Sequence, residues 1–424
     1  MSGNGIILGR ESTSTPFGFD NPQPINGELI RYEGEAPLAI IAPTGAGKGR
    51  DLLLPLLLTT PNPVVVLDIK AELVAVAARA RREMGHRVVV LDPFGISGMP
   101  SDRIDPFELF ELPGSLLECD SEMLASLLNQ GHGVEEDPFW DDTGSSLIAG
   151  LIAMSATLKE PDYPGLAFLR KHLFSDDAVY SIAVLLDTCG NRCEFANREL
   201  AGFLQHADNQ TRPCVLATAR TFMRALNAPQ VAACLENATF SLKDVMDGKP
   251  LDVFIVMPPD KIHSHAGLLR LLVGTLMTAI TRRTEIPEHR TIMVIDESAQ
   301  LGKEFAPLLT AATLMRGYGL QLVTAWQDLA QVKSRYKSDW ETILNNSGAV
   351  ICFGMGHYKA AKDAAEFLGL EPSELLRMKP DEAALAVRGE GTRKIRRTNY
   401  LTDGMFEGLA DQNPFFRRRS GIGR

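Results

Sequence analysis

Residues 37–50 read Pro37-Leu38-Ala39-Ile40-Ile41-Ala42-Pro43-Thr44-Gly45-Ala46-Gly47-Lys48-Gly49-Arg50. The apolar run from Pro37 to Ala42 predicts a strand, and Arg50 to Thr59 predicts a helix. A strand, a Gly-rich loop closed by a Lys, then a helix is the setting in which the pattern G-x-x-x-x-G-K-[ST] cradles phosphate. Backbone N–H groups of Thr44, Gly45, Ala46, Gly47, Lys48, Gly49 and Arg50, with the helix N-terminus, favour anionic oxygens, and Lys48 adds a point charge. The stretch therefore implies a bound nucleoside triphosphate. Two positions depart from the pattern. Ala42 stands where the first Gly belongs, and Gly49 where a Ser or Thr hydroxyl ordinarily reaches Mg²⁺. The Lys48 side chain is expected to be mostly solvated without nucleotide. The plain alternative is a Gly-rich surface turn after a strand.

A second stretch answers the first. Thr291-Ile292-Met293-Val294-Ile295-Asp296-Glu297 is an apolar run ending in two carboxylates. Continuous apolar runs suit parallel strands buried on both faces. Asp296 can hold Mg²⁺, directly or through water, and Glu297 can orient or activate an attacking water. A strand ending in a helix N-cap is the alternative, because Asp and an acidic first turn serve that purpose too.

The chain has 424 residues, enough for two to three domains. Its net charge of −10 gives no overall attraction to nucleic acid, so such a role needs local basic surface or an assembled channel. Six scattered cysteines offer no zinc-site spacing and read as free thiols of a reducing compartment. No signal peptide or membrane span is legible; Leu147 to Leu158 and Leu268 to Ile280 fall short of the ~20 residues a span needs.

Residues 1–35 read as an extended arm or hairpin. Strands at Val64–Asp68 and Val88–Asp92 flank a helix over Ala71–Met84, the right-handed unit of a parallel sheet. From residue 108 to 227 helical periodicity takes over, which predicts an all-helical insertion. Strands resume at Leu251–Met257, Thr291–Glu297, Leu320–Ala325 and Ala349–Phe353. Helices are expected over His263–Arg282, from about Lys303, and over Tyr358–Leu368, with a closing hairpin near 383–388 and 394–400. The fold class is α/β with a mostly parallel central sheet and an inserted all-helical domain. The nucleotide-binding part is discontinuous, over 36–107 and 228–424.

The order of landmarks resembles the TraG-type coupling proteins of type IV secretion and conjugation, which are RecA-like P-loop ATPases. The resemblance rests on Ala42 to Gly49, Asp68-Ile69-Lys70-Ala71-Glu72-Leu73, Val90-Leu91-Asp92-Pro93-Phe94 and Asp105-Pro106-Phe107. It continues through Val256-Met257-Pro258-Pro259, Asp296-Glu297, Arg316-Gly317-Tyr318-Gly319 and Gln327-Asp328. In this family Gly often follows the loop Lys, as Gly49 does. The resemblance implies ATP and Mg²⁺ as cofactors and a homo-oligomer, a hexamer. It implies DNA, a relaxosome or an effector protein as cargo, and type IV secretion channel proteins as partners. Members usually carry an N-terminal membrane segment, whereas about 40 residues precede the loop here. Membrane contact is therefore expected only through partners, from the cytoplasm or the inner face of the membrane. Lys70-Ala71-Glu72 has Ala where the family commonly has Gly.

Other residues carry two readings each. Asp68 and Lys70 end a strand on the edge where ligands gather, or form a local ion pair. Gln327 senses the γ-phosphate or caps a helix. Arg316 reaches a neighbour's γ-phosphate or satisfies a helix end. The basic runs Arg393-Lys394-Ile395-Arg396-Arg397 and Arg417-Arg418-Arg419 touch nucleic acid or lipid heads, or are solvated. Phe139 and Trp140 stack bases or anchor a helix start. His132 has no second ligand at metal spacing. Two other functions fit the motifs: an FtsK- or HerA-type DNA pump, and a weakly hydrolysing ATPase that docks cargo.

Overall fold

The computed structural model describes residues 5–12, 27–129, 138–159, 162, 164–207 and 210–415. In chain order the strands are β1 (Ile6–Glu11), β2 (Leu29–Tyr32), β3 (Leu38–Ile41), β4 (Val64–Asp68), β5 (Arg87–Leu91) and β6 (Leu251–Val256), then β7 (Thr291–Ile295), β8 (Leu320–Trp326), β9 (Ala349–Phe353), β10 (Glu382–Val387) and β11 (Gly391–Arg396). They form one sheet in the order β2-β1-β11-β10-β9-β3-β8-β7-β4-β6-β5. Pairings from β9 through β5 are parallel, and those from β9 through β2 are antiparallel.

The parallel strands are mostly apolar because both faces are covered, with Asp252 in β6 and Gln321 and Thr324 in β8 among the buried polar exceptions. Successive side chains point to opposite faces. Ala39, Ile41, Val65, Leu67, Met293 and Ile295 enter one core, while Leu38, Ile40, Val64, Val66, Ile292 and Val294 enter the other. The first core is continuous with the helical insertion. The second is covered by the helices that follow β3 and β4.

Between β5 and β6 the described residues hold helices and no strand. The longest, Phe139–Leu158, packs closely on two others through small residues. A Cβ on Gly144 would come within 2.8 Å of Thr218, and one on Gly150 within 3.0 Å of Glu199. The insertion is seated on the helix Ala266–Thr281. Leu127 fills the space over Gly274, where a Cβ would lie 2.4 Å from it. Arg282 binds Asp120 and the Gly114 carbonyl.

Several expectations are revised. The helix expected from Lys303 begins only at Ala306, after a 3₁₀ turn over Ser298–Leu301. Gly302 (φ 87°) and Glu304 (φ 48°) between them are in the left-handed region and interrupt any continuous helix. The hairpin, one of the two forms expected of residues 1–35, is made by β1 and β2, and what was not expected is that it extends the sheet through β1–β11 pairing. Helices at Leu329–Tyr336, Trp340–Asn345 and Pro372–Leu376 are additional to those expected. Among the described residues no helix is long and apolar enough to cross a membrane. All six cysteines are free thiols.

Candidate nucleotide site

β3 delivers the chain to the carboxyl edge of the sheet, where open α/β folds bind ligands. The Ala42 N–H donates to the Trp326 carbonyl at 2.8 Å, which ties the loop's start to β8. The loop then turns through Gly45 (φ 77°) and Gly47 (φ 96°), which explains the need for glycine at both. Ala42 has no such need. It is fully buried, and its Cβ adds to the core under the sheet. The helix begins with a widened turn over Gly49–Leu53, in which the Leu54 N–H reaches back to the Gly49 carbonyl. A Cβ at Gly49 would meet only Leu73 Cδ2, at 3.9 Å.

β7 ends at Ile295 and presents Asp296 and Glu297 beside this loop. Lys48 Nζ lies 3.0 Å from Glu297 Oε2 and 3.5 Å from Asp296 Oδ1. The Lys48 side chain is 17% exposed, so the expectation of a mostly solvated ammonium is corrected: the two carboxylates draw it in. Neither carboxylate caps the 3₁₀ turn that follows, so the reading of this pair as a helix N-cap fails. Burial raises the Asp296 carboxyl above its ordinary value; the Lys48 charge opposes that shift and Glu297 adds to it. Asp296 Oδ1 has no hydrogen-bond partner.

Because β8 pairs with β7, Gln327 falls next to the acidic pair. Its Nε2 donates to Glu297 Oε1 at 3.3 Å. It is not a cap: Asp328 caps the helix Leu329–Tyr336 by accepting from the Gln331 N–H.

Asp68 ends β4, next to β7, and is buried. It accepts from the backbone N–H groups of Lys70, Glu72 and Val74, so the local ion pair is replaced by a helix cap, and Lys70 is exposed. Burial pushes the Asp68 carboxyl up to about 7, against the pull of those N–H groups and with the Asp296 charge adding to the rise. The chain bends into this cap through Ala71, at φ 56° and ψ 19°. That conformation suits Gly better than Ala, and Gly is the residue that the resemblance leads one to expect at this position.

Arg316 lies at the other end of β8. That strand has seven residues, and at about 3.3 Å per residue it separates Arg316 from Gln327 by ~23 Å. Arg316 is 58% exposed and pairs with Glu35 at 3.3 Å, which Arg290 also holds, at 2.6 Å. It does not meet Lys48 within the chain.

The basic run at 393–397 is in part the solvated face expected as one of its two readings, with Arg393 and Lys394 exposed on β11. Arg393 faces Glu11 and Glu390, Lys394 faces Glu382, and Arg396 faces Asp381. Arg397 turns inward, 5% exposed, and donates to the Ala46 carbonyl at 2.7 Å. Sequence reasoning missed Arg397 at the nucleotide site, because a charge run does not reveal a partner so distant along the chain. Phe139 is partly exposed and meets Trp140 edge-on at 5.0 Å; Trp140 packs on the core as a helix anchor. His132 and Arg417 to Arg419 lie outside the described residues.

The sequence model of the family described as type IV secretory system conjugative DNA transfer matches residues 8–371. The conjugal transfer protein TraG of Rhizobium radiobacter is 28% identical over 303 residues, covering 70% of this chain and 46% of that protein. The chain spans about half the length of the curated relatives it matches. Among solved structures, the bacterial conjugative coupling protein TrwB in its unbound monoclinic form superposes with a TM-score of 0.68 at 16% identity, over 92% of this chain and 93% of that one. The plasmid coupling protein TrwB in complex with ADP and Mg²⁺ gives 0.67 at 17%, over 85% and 84%. At these identities the structural likeness establishes the fold: α/β, RecA-like, with a mostly parallel sheet.

Proposed function

The chain belongs to the type IV secretory system conjugative DNA transfer family, and we propose that it is an ATP-driven coupling protein that recruits DNA, or a protein–DNA complex, and moves it toward a secretion channel. The observation that carries this reading is the meeting of Lys48 with Glu297 and Asp296 across the Gly-rich loop. In this proposal the backbone N–H groups of residues 44–50 and the Lys48 ammonium bind the β- and γ-phosphates. Glu297 orients the attacking water and takes its proton. Gln327, bonded to Glu297, holds that carboxylate in position and reads the γ-phosphate.

The residues fit a Mg²⁺ ion. Among the described residues no cluster of three or more ligating side chains occurs, yet Mg²⁺ characteristically takes one or two carboxylates plus substrate phosphates. Asp296 Oδ1, held only by the ion pair with Lys48 at 3.5 Å, would be the group for it once the phosphates draw Lys48 away. Bound there, the ion would neutralise charge on the phosphates. Arg316, too far from Lys48 in its own chain, would serve a neighbouring subunit's site in a hexamer.

In domain terms, residues 36–107 and 228–424 form the motor and 108–227 the insertion that meets cargo. The protein would work in the cytoplasm or at the inner membrane face. Hydrolysis measured against protein concentration, with and without single-stranded and duplex DNA, tests the reading. Specific activity should rise with concentration and with DNA. Tight ATP binding with no turnover under any of these conditions would leave a docking role instead.

A further inference from the structure

We propose that Arg397 is a positioning residue for the phosphate loop, and that the segment Arg397–Tyr400 sets the affinity of that loop for nucleotide. The inference rests on the nucleotide reading above. A phosphate loop turns its N–H groups inward, so its carbonyls face out and need donors of their own. Arg397 supplies one. Its Nη1 donates to the Ala46 carbonyl at 2.7 Å and lies 3.2 Å from Asp51 Oδ2. The guanidinium carbon sits 4.1 Å from the centroid of the Phe353 ring, at the end of β9, which fixes its plane.

The next residues act on the helix itself. Thr398 Oγ1 donates to the Asp51 carbonyl at 2.7 Å, and the Tyr400 N–H reaches the Arg50 carbonyl at 3.4 Å. In an α-helix the Arg50 carbonyl would receive the Leu54 N–H. Here Leu54 bonds to Gly49 instead, and the turn is widened. The C-terminal segment thus occupies part of the helix's own hydrogen-bond ladder where the phosphate-binding turn begins. Its far end is fastened to the helix Glu72–Glu83, where the Asp411 N–H meets the Val76 carbonyl at 3.0 Å.

A plain staple for the Asp51 charge would not need Arg397. Arg50 already forks Asp51 with bonds of 2.5 and 2.8 Å. Arg397 is buried, with Nε unbonded, an unfavourable place for a guanidinium unless its position matters. Its shorter bond goes to the loop carbonyl, not to the carboxylate.

The test compares Arg397→Ala, Arg397→Lys and Thr398→Val with Arg396→Ala, whose side chain meets Asp381 on the outer face. Mg-ATP dissociation constants, kcat and KM, and hydrogen exchange of amides 44–49 are measured at a temperature where each variant is folded. Arg397→Ala should weaken binding and raise KM by about tenfold or more, with faster exchange in the loop, while kcat at saturation stays near wild type. Arg397→Lys should fall between, and Arg396→Ala should match wild type. Affinity within about twofold of wild type in folded Arg397→Ala, or an equal loss in Arg396→Ala, overturns the inference. If Arg397→Ala does not fold, unchanged affinity and unchanged loop exchange in both Arg397→Lys and Thr398→Val overturn it. Absence of ATP binding in the wild-type chain overturns the nucleotide reading, a separate result.

Discussion

The Lys48 ammonium nitrogen stands 3.0 Å from a carboxylate oxygen of Glu297, so the phosphate loop and the acidic end of β7 are joined through one cation. A triphosphate entering the loop competes with Glu297 and Asp296 for that cation. In the proposed mechanism, taking Lys48 would free Glu297 for water. The same pairing means that Lys48 contributes to the fold as well as to the proposed chemistry. Lys48→Ala should abolish hydrolysis and lower stability by about 1 kcal/mol, because two neighbouring carboxylates lose their counter-charge. Denaturant unfolding and a phosphate-release assay check both halves. Wild-type turnover in the folded variant would end the site assignment.

Glu297→Gln separates binding from turnover. The amide keeps the shape and an oxygen for Gln327, but gives up the charge that holds Lys48. ATP should therefore bind at least as tightly as in wild type. Turnover should fall by about 10²–10⁴-fold, the usual scale for losing a general base. Titration with labelled ATP beside steady-state rates measures the two effects. Unchanged turnover would move the catalytic carboxylate elsewhere, with Asp68 the next candidate.

Gly49→Ser asks what replaces the missing loop hydroxyl. The nearest atom to a new Cβ is Leu73 Cδ2 at 3.9 Å, so a Ser side chain fits without displacement. A Gly-to-Ser change inside a helix should stabilise by about 0.5 kcal/mol. Its hydroxyl would add a second oxygen beside Asp296 for Mg²⁺. Half-saturation of the ATPase by Mg²⁺ should fall, while the rate at saturating metal stays similar. A loss of stability would mean that the widened turn at Gly49–Leu53 requires glycine.

Asp68 gives the fold a pH dependence near neutrality. Its carboxyl lies at about 7 in the folded protein and near 3.9 in an unfolded chain. The folded state thus holds this proton more tightly, and the stability linked to it is full below about pH 4 and is lost as pH rises through about 7. Unfolding midpoints followed from about pH 5.5 to about pH 8.5 should decline more steeply in wild type than in Asp68→Asn. Asp296→Asn removes a charge that raises the Asp68 value, so it should shift the decline to lower pH. Parallel pH profiles in all three proteins would show that Asp68 titrates elsewhere.

Strands buried on both faces were legible because apolar side chains dominate them, even where Asp252 or Gln321 interrupts the run. Ala349–Phe353 has the limits its apolar run predicts, and the Thr291 run ends in the two carboxylates that meet Lys48. The Gly-rich loop was legible for a local reason, since Gly45 and Gly47 occupy positive φ. What escaped is what depends on distant pairings. Nothing in Ile6–Glu11 announces β11 as its partner, and nothing in the run at 393–397 distinguishes Arg397, which turns inward, from Arg396, which turns out. The short helix Leu329–Tyr336 did carry a signal, Asp328 three residues before Gln331, but too few periodic residues to read alone.

Arg316 and Lys48 belong to opposite ends of the sheet, and that separation is the ground for the last prediction. An arginine ~23 Å from Gln327 along β8 has no part in its own chain's site. It is exposed, and its pairing with Glu35 at 3.3 Å is shared with Arg290, so it can leave without stranding the carboxylate. In a ring, such a guanidinium could face the neighbour's phosphates and neutralise charge developing there, an effect worth roughly 10³–10⁵ in rate. Arg316→Ala should therefore lose most of its hydrolysis while binding ATP normally. The decisive measurement mixes it with Lys48→Ala. Each variant alone has no complete interface. In mixed rings some interfaces pair the intact Lys48 of one subunit with the intact Arg316 of the next, so activity should partly return. A ratio series, with co-assembly confirmed by light scattering or cross-linking, gives the recovery as a function of composition. No recovery at any ratio would remove Arg316 from the neighbour's site and leave it as a surface residue held by Glu35.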